Sequence, residues 1–162
     1  MEPVKIGLLG LGTVGSGVVT VLTRNAREIA RRAGRGIEIA HAAAREYNPA
    51  GISGLEQVGR IGSDAFAVVD DPEVAIVVEL IGGYSPAREL VLRAIANGKH
   101  VVTANKALIA RHGNEIFAAA QEQGVTVSFE AAVAGGVPII KAVREGLAAN
   151  HIEWIAGIIN GT

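Results

Sequence analysis

The chain has 162 residues, enough for one core of ordinary size and too few for a second full domain, and its 49% hydrophobic, 4% aromatic composition describes a core of Val, Ile, Leu and Ala. Fifteen basic residues against sixteen acidic ones leave a formal charge of -1, so there is no basic field for nucleic acid and no polybasic run for a membrane surface. The absence of cysteine excludes a disulfide framework, a thiolate zinc site and a thiol nucleophile, in keeping with a reducing cytosol.

The N-terminus, Met1-Glu2-Pro3-Val4-Lys5, lacks the basic stretch and long apolar run of a signal peptide. No uncharged apolar stretch approaches the ~20 residues that span a bilayer. A soluble, cytoplasmic protein is expected.

In chain order, Lys5 to Gly10 reads as a short buried strand ending in glycine. Thr13 to Ala33 reads as one helix, with Val14, Val18, Val21, Leu22, Ile29 and Ala33 at helical spacing and Gly34-Arg35-Gly36 as its stop. Ile37 to Ala44 is a second strand. Arg45 to Asp64, rich in glycine and holding Asn48-Pro49, reads as a loop with at most one weak helix. A short helix around Ala65 to Val69 precedes the almost wholly apolar strand Ala75 to Leu80. Pro86 to Asn97 is a helix that Pro86 opens and Gly98 ends. Val101-Val102 form a strand. Lys106 to Gln123 is a helix with Leu108, Ile109, Ile116, Phe117 and Ala120 inward, and Gly124 stops it. Val125 to Phe129 is the next strand. Pro138 to Leu147 then reads as a helix and Ile152 to Ile159 as a strand. Repeated strand–helix alternation predicts an α/β fold, a Rossmann-type doubly wound parallel sheet with right-handed crossovers. The pattern changes after Phe129, which sets a boundary near residue 131.

Gly10-Leu11-Gly12-Thr13-Val14-Gly15 is a GxGxxG string directly after a strand and at the start of a helix. Gly10 permits the tight turn, Gly12 lets a pyrophosphate approach the backbone, and Gly15 lets the helix pack on the sheet. A tight turn without a ligand is the bland alternative. An Asp or Glu after the second strand would bond the ribose of NAD. Here Ala42-Ala43-Ala44-Arg45-Glu46 leaves room for a phosphate that Arg45 would pair, which favours NADP, while Glu46 keeps NAD open.

Three further motifs fall at strand ends: Glu79-Leu80-Ile81-Gly82-Gly83, Thr103-Ala104-Asn105-Lys106, and the run from Glu130 to Pro138. In a parallel sheet they share the carboxyl edge, where ligands bind, so Gly82, Thr103 and Lys106 join the candidate cofactor contacts. Lys106 has a direct chemical use, because hydride reduction of an aldehyde leaves charge on oxygen that an ammonium stabilises or protonates. Burial would tune it toward the working range. The ordinary fate of such a lysine is the surface, yet at a helix start it opposes the helix dipole. Carboxylate and carbonyl oxygens after Glu130 suit a hard cation, although a plain turn explains the same spacing. His41, His100, His112 and His151 are scattered and read as structural or solvated.

Through GLGTVG, VVELIGG, TANK, EAAVAGGVPII and GIINGT, in that order and over nearly its whole length, the chain resembles homoserine dehydrogenase. That NAD(P)-dependent enzyme interconverts homoserine and aspartate semialdehyde in threonine and methionine biosynthesis. The resemblance implies that Lys106 lies beside the nicotinamide and the substrate, and that Thr13 and Val14 touch the cofactor phosphates. It implies a monovalent-cation site, usually sodium, held by Glu130 and the carbonyls of Val133, Gly135 and Val137. It also implies that Asn160-Gly161-Thr162 leads toward the substrate pocket. Residues 1–131 would be the NAD(P)-binding domain and 132–162 the incomplete start of a substrate and dimerisation domain. The family's second lysine, its substrate-binding acids and its homodimer contacts would lie beyond Thr162, so this portion alone would bind cofactor without turnover. Two other readings are a non-catalytic NAD(P)-sensing module and a different amino-acid dehydrogenase. Thioester-forming semialdehyde dehydrogenases are disfavoured by the missing cysteine.

Overall fold

The computed structural model describes residues 1–157. Its centre is a six-stranded, wholly parallel sheet in the order β3-β2-β1-β4-β5-β6. The strands are β1 (Val4–Leu9), β2 (Ile37–Ala43), β3 (Arg60–Gly62), β4 (Ile76–Glu79), β5 (His100–Thr103) and β6 (Val127–Ser128). The chain winds outward from β1 in one direction and then, from β4, in the other. A crevice therefore opens at the carboxyl ends of β1 and β4, where the direction of winding reverses.

Helices cover both faces because both faces are apolar. On one, Ile6, Leu8, Ile39, Ala42 and Val78 pack with Val19 of α1 (Thr13–Arg24). On the other, Leu9, Val77 and Val101 pack with α3 (Ala65–Asp70), α4 (Ala87–Ala96) and α5 (Lys106–Gln123) through Val68, Leu90, Ile95, Leu108 and Ile116. The helix reading of Lys106 to Gln123 coincides with α5, which Gly124 ends in the left-handed conformation.

Several expectations are corrected. The helix expected over Thr13 to Ala33 is two, α1 and α2 (Ala26–Ala33), broken at Asn25, whose φ of -106° and ψ of 17° leave the helical region. Asparagine competes with the helix for its own backbone bonds, which favours a break there. Val14 and Val21, counted on the apolar stripe, are exposed, and Val19 is buried instead. The stretch expected to be loop carries β3 and two 3-10 turns, Pro49–Gly51 and Leu55–Gln57. β3 forms because it borrows ladder partners His41 to Ala43 from β2, a non-local gain invisible in three residues. The helix expected from Pro138 is α6 (Ile139–Lys141), continued by a π-type turn over Ala142–Gly146. No strand forms over residues 152–157, and the remainder of that expected strand, with Asn160-Gly161-Thr162, lies outside the described residues.

At the amino edge of the sheet a polar network closes the fold. Asp71 accepts from the Glu73 amide (3.0 Å) and pairs with His41 Nδ1 (2.9 Å) and Arg60. Burial alone would raise its carboxyl pKa, but these partners outweigh burial and hold it below the ordinary value. The buried Lys99 ammonium donates to the carbonyls of Asp71 (2.6 Å) and Val74 (2.7 Å). This edge is remote from the crevice, so these groups serve the fold.

Candidate functional site

All the loops flagged by sequence gather at one edge because the strands are parallel. The phosphate loop follows β1, Arg45 and Glu46 follow β2, Gly82 follows β4, Lys106 follows β5 and Glu130 follows β6.

The first loop has the shape its glycines imply. Gly10 holds a φ of +100°, and a Cβ there would lie 3.1 Å from the Leu80 carbonyl. Gly15 sits so close to β1 that a Cβ would fall 2.0 Å from the Gly10 carbonyl oxygen. Gly12 is different: a Cβ there would meet nothing within 4 Å. It is the N-cap of α1, and no side chain caps the helix amides and no acid lies in the first turn. Free N–H groups, a positive helix end and open space are what an anion needs. Val14, 55% exposed, borders that opening.

A cleft of about 480 Å³ runs from this loop, lined by Gly12, Thr13, Ser16, Glu46, Tyr47 and Ile52 among others. Arg45 is exposed beside it and does not line it, whereas the adjacent Glu46 does.

On the other side of the crevice, Gly82 and Gly83 both lie in the left-handed region, at φ of +80° and +69°. Lys106 is the first residue of α5, behind the N-cap Asn105, and it is exposed. Lys106 thus takes the surface position that is ordinary for a lysine at a helix start, not a buried one. The first turn of α5 holds no acid to offset it.

Beneath these loops lies a group to which sequence reasoning gave no role. Glu79, the last residue of β4, is fully buried. Its Oε1 accepts from the amides of Ile81 (2.8 Å) and Gly82 (3.2 Å), and its Oε2 from the Thr103 hydroxyl (2.6 Å). Thr103 Oγ1 accepts from the Asn105 amide (3.0 Å), while Asn105 donates to the Gly83 carbonyl (2.8 Å) and caps Leu108 (3.1 Å). The carboxylate is thus part of the crevice's foundation, and Thr103 and Gly82 spend their hydroxyl and amide on it. Thr103 is fully buried, so of the two only the remaining backbone of Gly82 reaches the surface. The available signal was a carboxylate ending an otherwise apolar strand, where an unpaired charge is too costly to be incidental.

At the last loop, Glu130 accepts from the Ile140 (2.9 Å) and Lys141 (2.8 Å) amides and so caps α6. The Val133 amide donates to the Glu130 carbonyl (3.1 Å), and the Val137 carbonyl accepts from Ile139 (2.8 Å). Ala134 and Gly135 are left-handed, at φ of 55° and 59°. Among the described residues no cluster of three His, Asp or Glu side chains exists to hold a metal ion, so a cation at this loop would depend on carbonyl oxygens.

The sheet order and the open glycine loop at the start of α1 define a dinucleotide-binding domain of the Rossmann type. Residues 10–130 match the family model "Homoserine dehydrogenase, NAD binding domain", and the chain belongs to that family. It is 67% identical over 162 residues to a homoserine dehydrogenase of Pseudomonas aeruginosa, covering 100% of this chain and 37% of that protein. It is 56% identical over 168 aligned residues to one of Neisseria gonorrhoeae, again covering 100% and 37%. The crystal structure of a homoserine dehydrogenase from Thiobacillus denitrificans superimposes with a TM-score of 0.91 at 66% identity, over 99% of this chain and 37% of that one. The chain therefore spans little more than a third of the length of these relatives. No helix of the described residues is long and apolar enough to cross a membrane.

Proposed function

We propose that this chain is the cofactor-binding part of a homoserine dehydrogenase, which interconverts L-homoserine and L-aspartate 4-semialdehyde. The observation that carries the reading is the open, uncapped start of α1 at Gly12, on the same sheet edge as an exposed lysine that opens α5. A nicotinamide cofactor bound there supplies or accepts the hydride. The amides of Thr13, Val14 and Gly15 would hold its diphosphate, and Gly10, Gly12 and Gly15 would shape the turn. Arg45 would pair the 2′-phosphate of NADP, with Glu46 the competing partner of an unphosphorylated ribose. The backbone of Gly82 would border the nicotinamide half, with the buried Thr103 supporting that side of the crevice from beneath. In reduction, Lys106 would stabilise the negative charge that hydride addition leaves on the substrate oxygen until a proton makes it the homoserine hydroxyl; in oxidation it would stabilise the same oxygen as that proton leaves and the hydride departs from carbon.

The donor set of Glu130 with the carbonyls of Val133, Gly135 and Val137 is all oxygen, and carboxylate and carbonyl oxygens keep lone pairs beyond the amides they accept in this structure, which suits a hard cation such as sodium. The left-handed Ala134 and Gly135 suit a loop that turns carbonyls toward one point. A domain boundary near residue 131 is supported by the end of the sheet at Ser128 and of the family match at residue 130. Residues 132–162 would then begin the substrate and dimerisation domain of a cytoplasmic homodimer.

The test has two parts. NADPH and NADH are titrated into the chain and followed by fluorescence, with saturable binding expected for at least one. In a full-length enzyme that contains this chain, Lys106→Ala should lower kcat about 100-fold or more while thermal stability holds. No binding of either cofactor, or an unchanged kcat, would overturn the proposal.

A further inference from the structure

The geometry points to Glu79 as a positioning residue for the reacting half of the site: its buried carboxylate fixes Lys106 relative to the Gly82–Gly83 backbone. The inference rests on the reading of Lys106 given above.

Glu79 and Thr103 are ladder partners at the ends of β4 and β5. From each strand end a loop leaves, one through Ile81 to Gly83 and the other through Ala104 to Lys106. Without a link, these loops would move independently, because loop backbone at a sheet edge has few buried contacts to hold it. The hydrogen bonds close a ring. Glu79 grips Ile81 and Gly82, Gly83 is gripped by Asn105, Asn105 by Thr103, and Thr103 returns to Glu79. Lys106 follows Asn105 directly, so the ring sets where its side chain leaves the backbone.

The ring also requires an acceptor at both Glu79 oxygens. Two amides converge on Oε1 and a hydroxyl hydrogen on Oε2. An ionised carboxylate accepts at both positions, whereas the amide of glutamine accepts at one and donates at the other. Glutamine would either face its NH2 toward two amide hydrogens or deprive the Thr103 hydroxyl of its acceptor. Among the described residues Glu79 has no ion-pair partner, so these three donors alone offset the burial of its carboxyl group. A carboxylate kept at that desolvation cost, in the ring between two ligand-facing loops, fits control of geometry better than bulk stability.

The experiment uses a full-length homoserine dehydrogenase carrying this chain, with Glu79→Gln, Thr103→Val, Lys106→Ala and the double variant Glu79→Gln/Lys106→Ala. Kinetics are measured with ordinary and C4-deuterated reduced cofactor, alongside cofactor Kd. Displacing a reacting group by about 1 Å costs on the order of 100-fold. Glu79→Gln should therefore lower kcat by about 10- to 100-fold, leave cofactor Kd within about threefold, and raise the deuterium isotope effect. Thr103→Val should reproduce that pattern, and it carries the test if the Gln variant fails to fold. Lys106→Ala should cost little more in the Gln background than Glu79→Gln already does, because a displaced ammonium has less left to lose. A Glu79→Gln enzyme with kcat within twofold of the parent overturns the inference while the Lys106 reading stands. So do losses that multiply independently in the double variant. A Lys106→Ala enzyme of unchanged kcat overturns the Lys106 reading, and this inference with it.

Discussion

Two glycines of one loop should respond to the same added methyl in opposite ways. In Gly15→Ala the new Cβ would stand 2.0 Å from the Gly10 carbonyl oxygen, where an ordinary C···O contact is about 3.3 Å or more. The obstacle is backbone, so no side chain can swing aside, and the start of α1 must retreat by about 1.3 Å. Overpacking of this kind costs typically about 1–3 kcal/mol, here at the upper end. Alanine's better helix preference returns about 0.8–1 kcal/mol. The remaining loss, about 2 kcal/mol, should lower Tm by roughly 4–8 °C for a chain of this size.

Gly12→Ala meets nothing within 4 Å, and φ there is an ordinary -71°. The poorer N-cap and the stiffer unfolded chain roughly cancel, at about 0.5–1 kcal/mol each, so Tm should hold. Its methyl instead enters the space left for a diphosphate and should weaken cofactor binding at least about tenfold, or 1.4 kcal/mol. Differential scanning fluorimetry and cofactor titration of the two variants side by side provide the assay. A Gly15→Ala chain as stable as the parent, or a Gly12→Ala chain that binds as tightly, would refute the reasoning.

Other outcomes follow from the same structure. Asp71→Asn should cost about 2 kcal/mol at neutral pH, because charge-assisted hydrogen bonds contribute about that much. The Asp71 carboxyl is held below its ordinary pKa, so its contribution is complete above about pH 4 and fades as pH falls through the folded value. Acid unfolding curves of parent and variant should therefore converge below that range. Leu90→Ala, at a fully buried position of α4, should cost about 2–5 kcal/mol in urea denaturation. Arg45→Ala should weaken NADPH binding about tenfold and leave NADH unaffected, as removal of a charge-assisted contact to phosphate requires. Equal losses for both cofactors would show that Arg45 does not read the 2′-phosphate.

The legible parts of this chain were those whose signal is local. α5 could be bounded to the residue because an apolar stripe and the glycine that stops it both lie in its own stretch of sequence. The phosphate loop was legible because GxGxxG after a strand has few other uses, and the distances at Gly10 and Gly15 follow from the turn that motif makes. β3 was illegible because three residues become a strand only when β2 offers them a ladder. The division of α1 from α2 was missed because apolar spacing continues across Asn25 even though the helical dihedrals do not.

The sequence alone determined the parallel α/β architecture, the place of the dinucleotide loop and the family, since strand–helix alternation and short ordered motifs are properties of neighbouring residues. Only the tertiary structure decided what the side chains at the sheet edge do. Glu79, Thr103 and Asn105 are up to 26 positions apart in the chain, yet they meet because β4 and β5 lie side by side and end at the same level. Hydrogen-bond partners across that distance depend on strand register, and register is a property of the whole sheet.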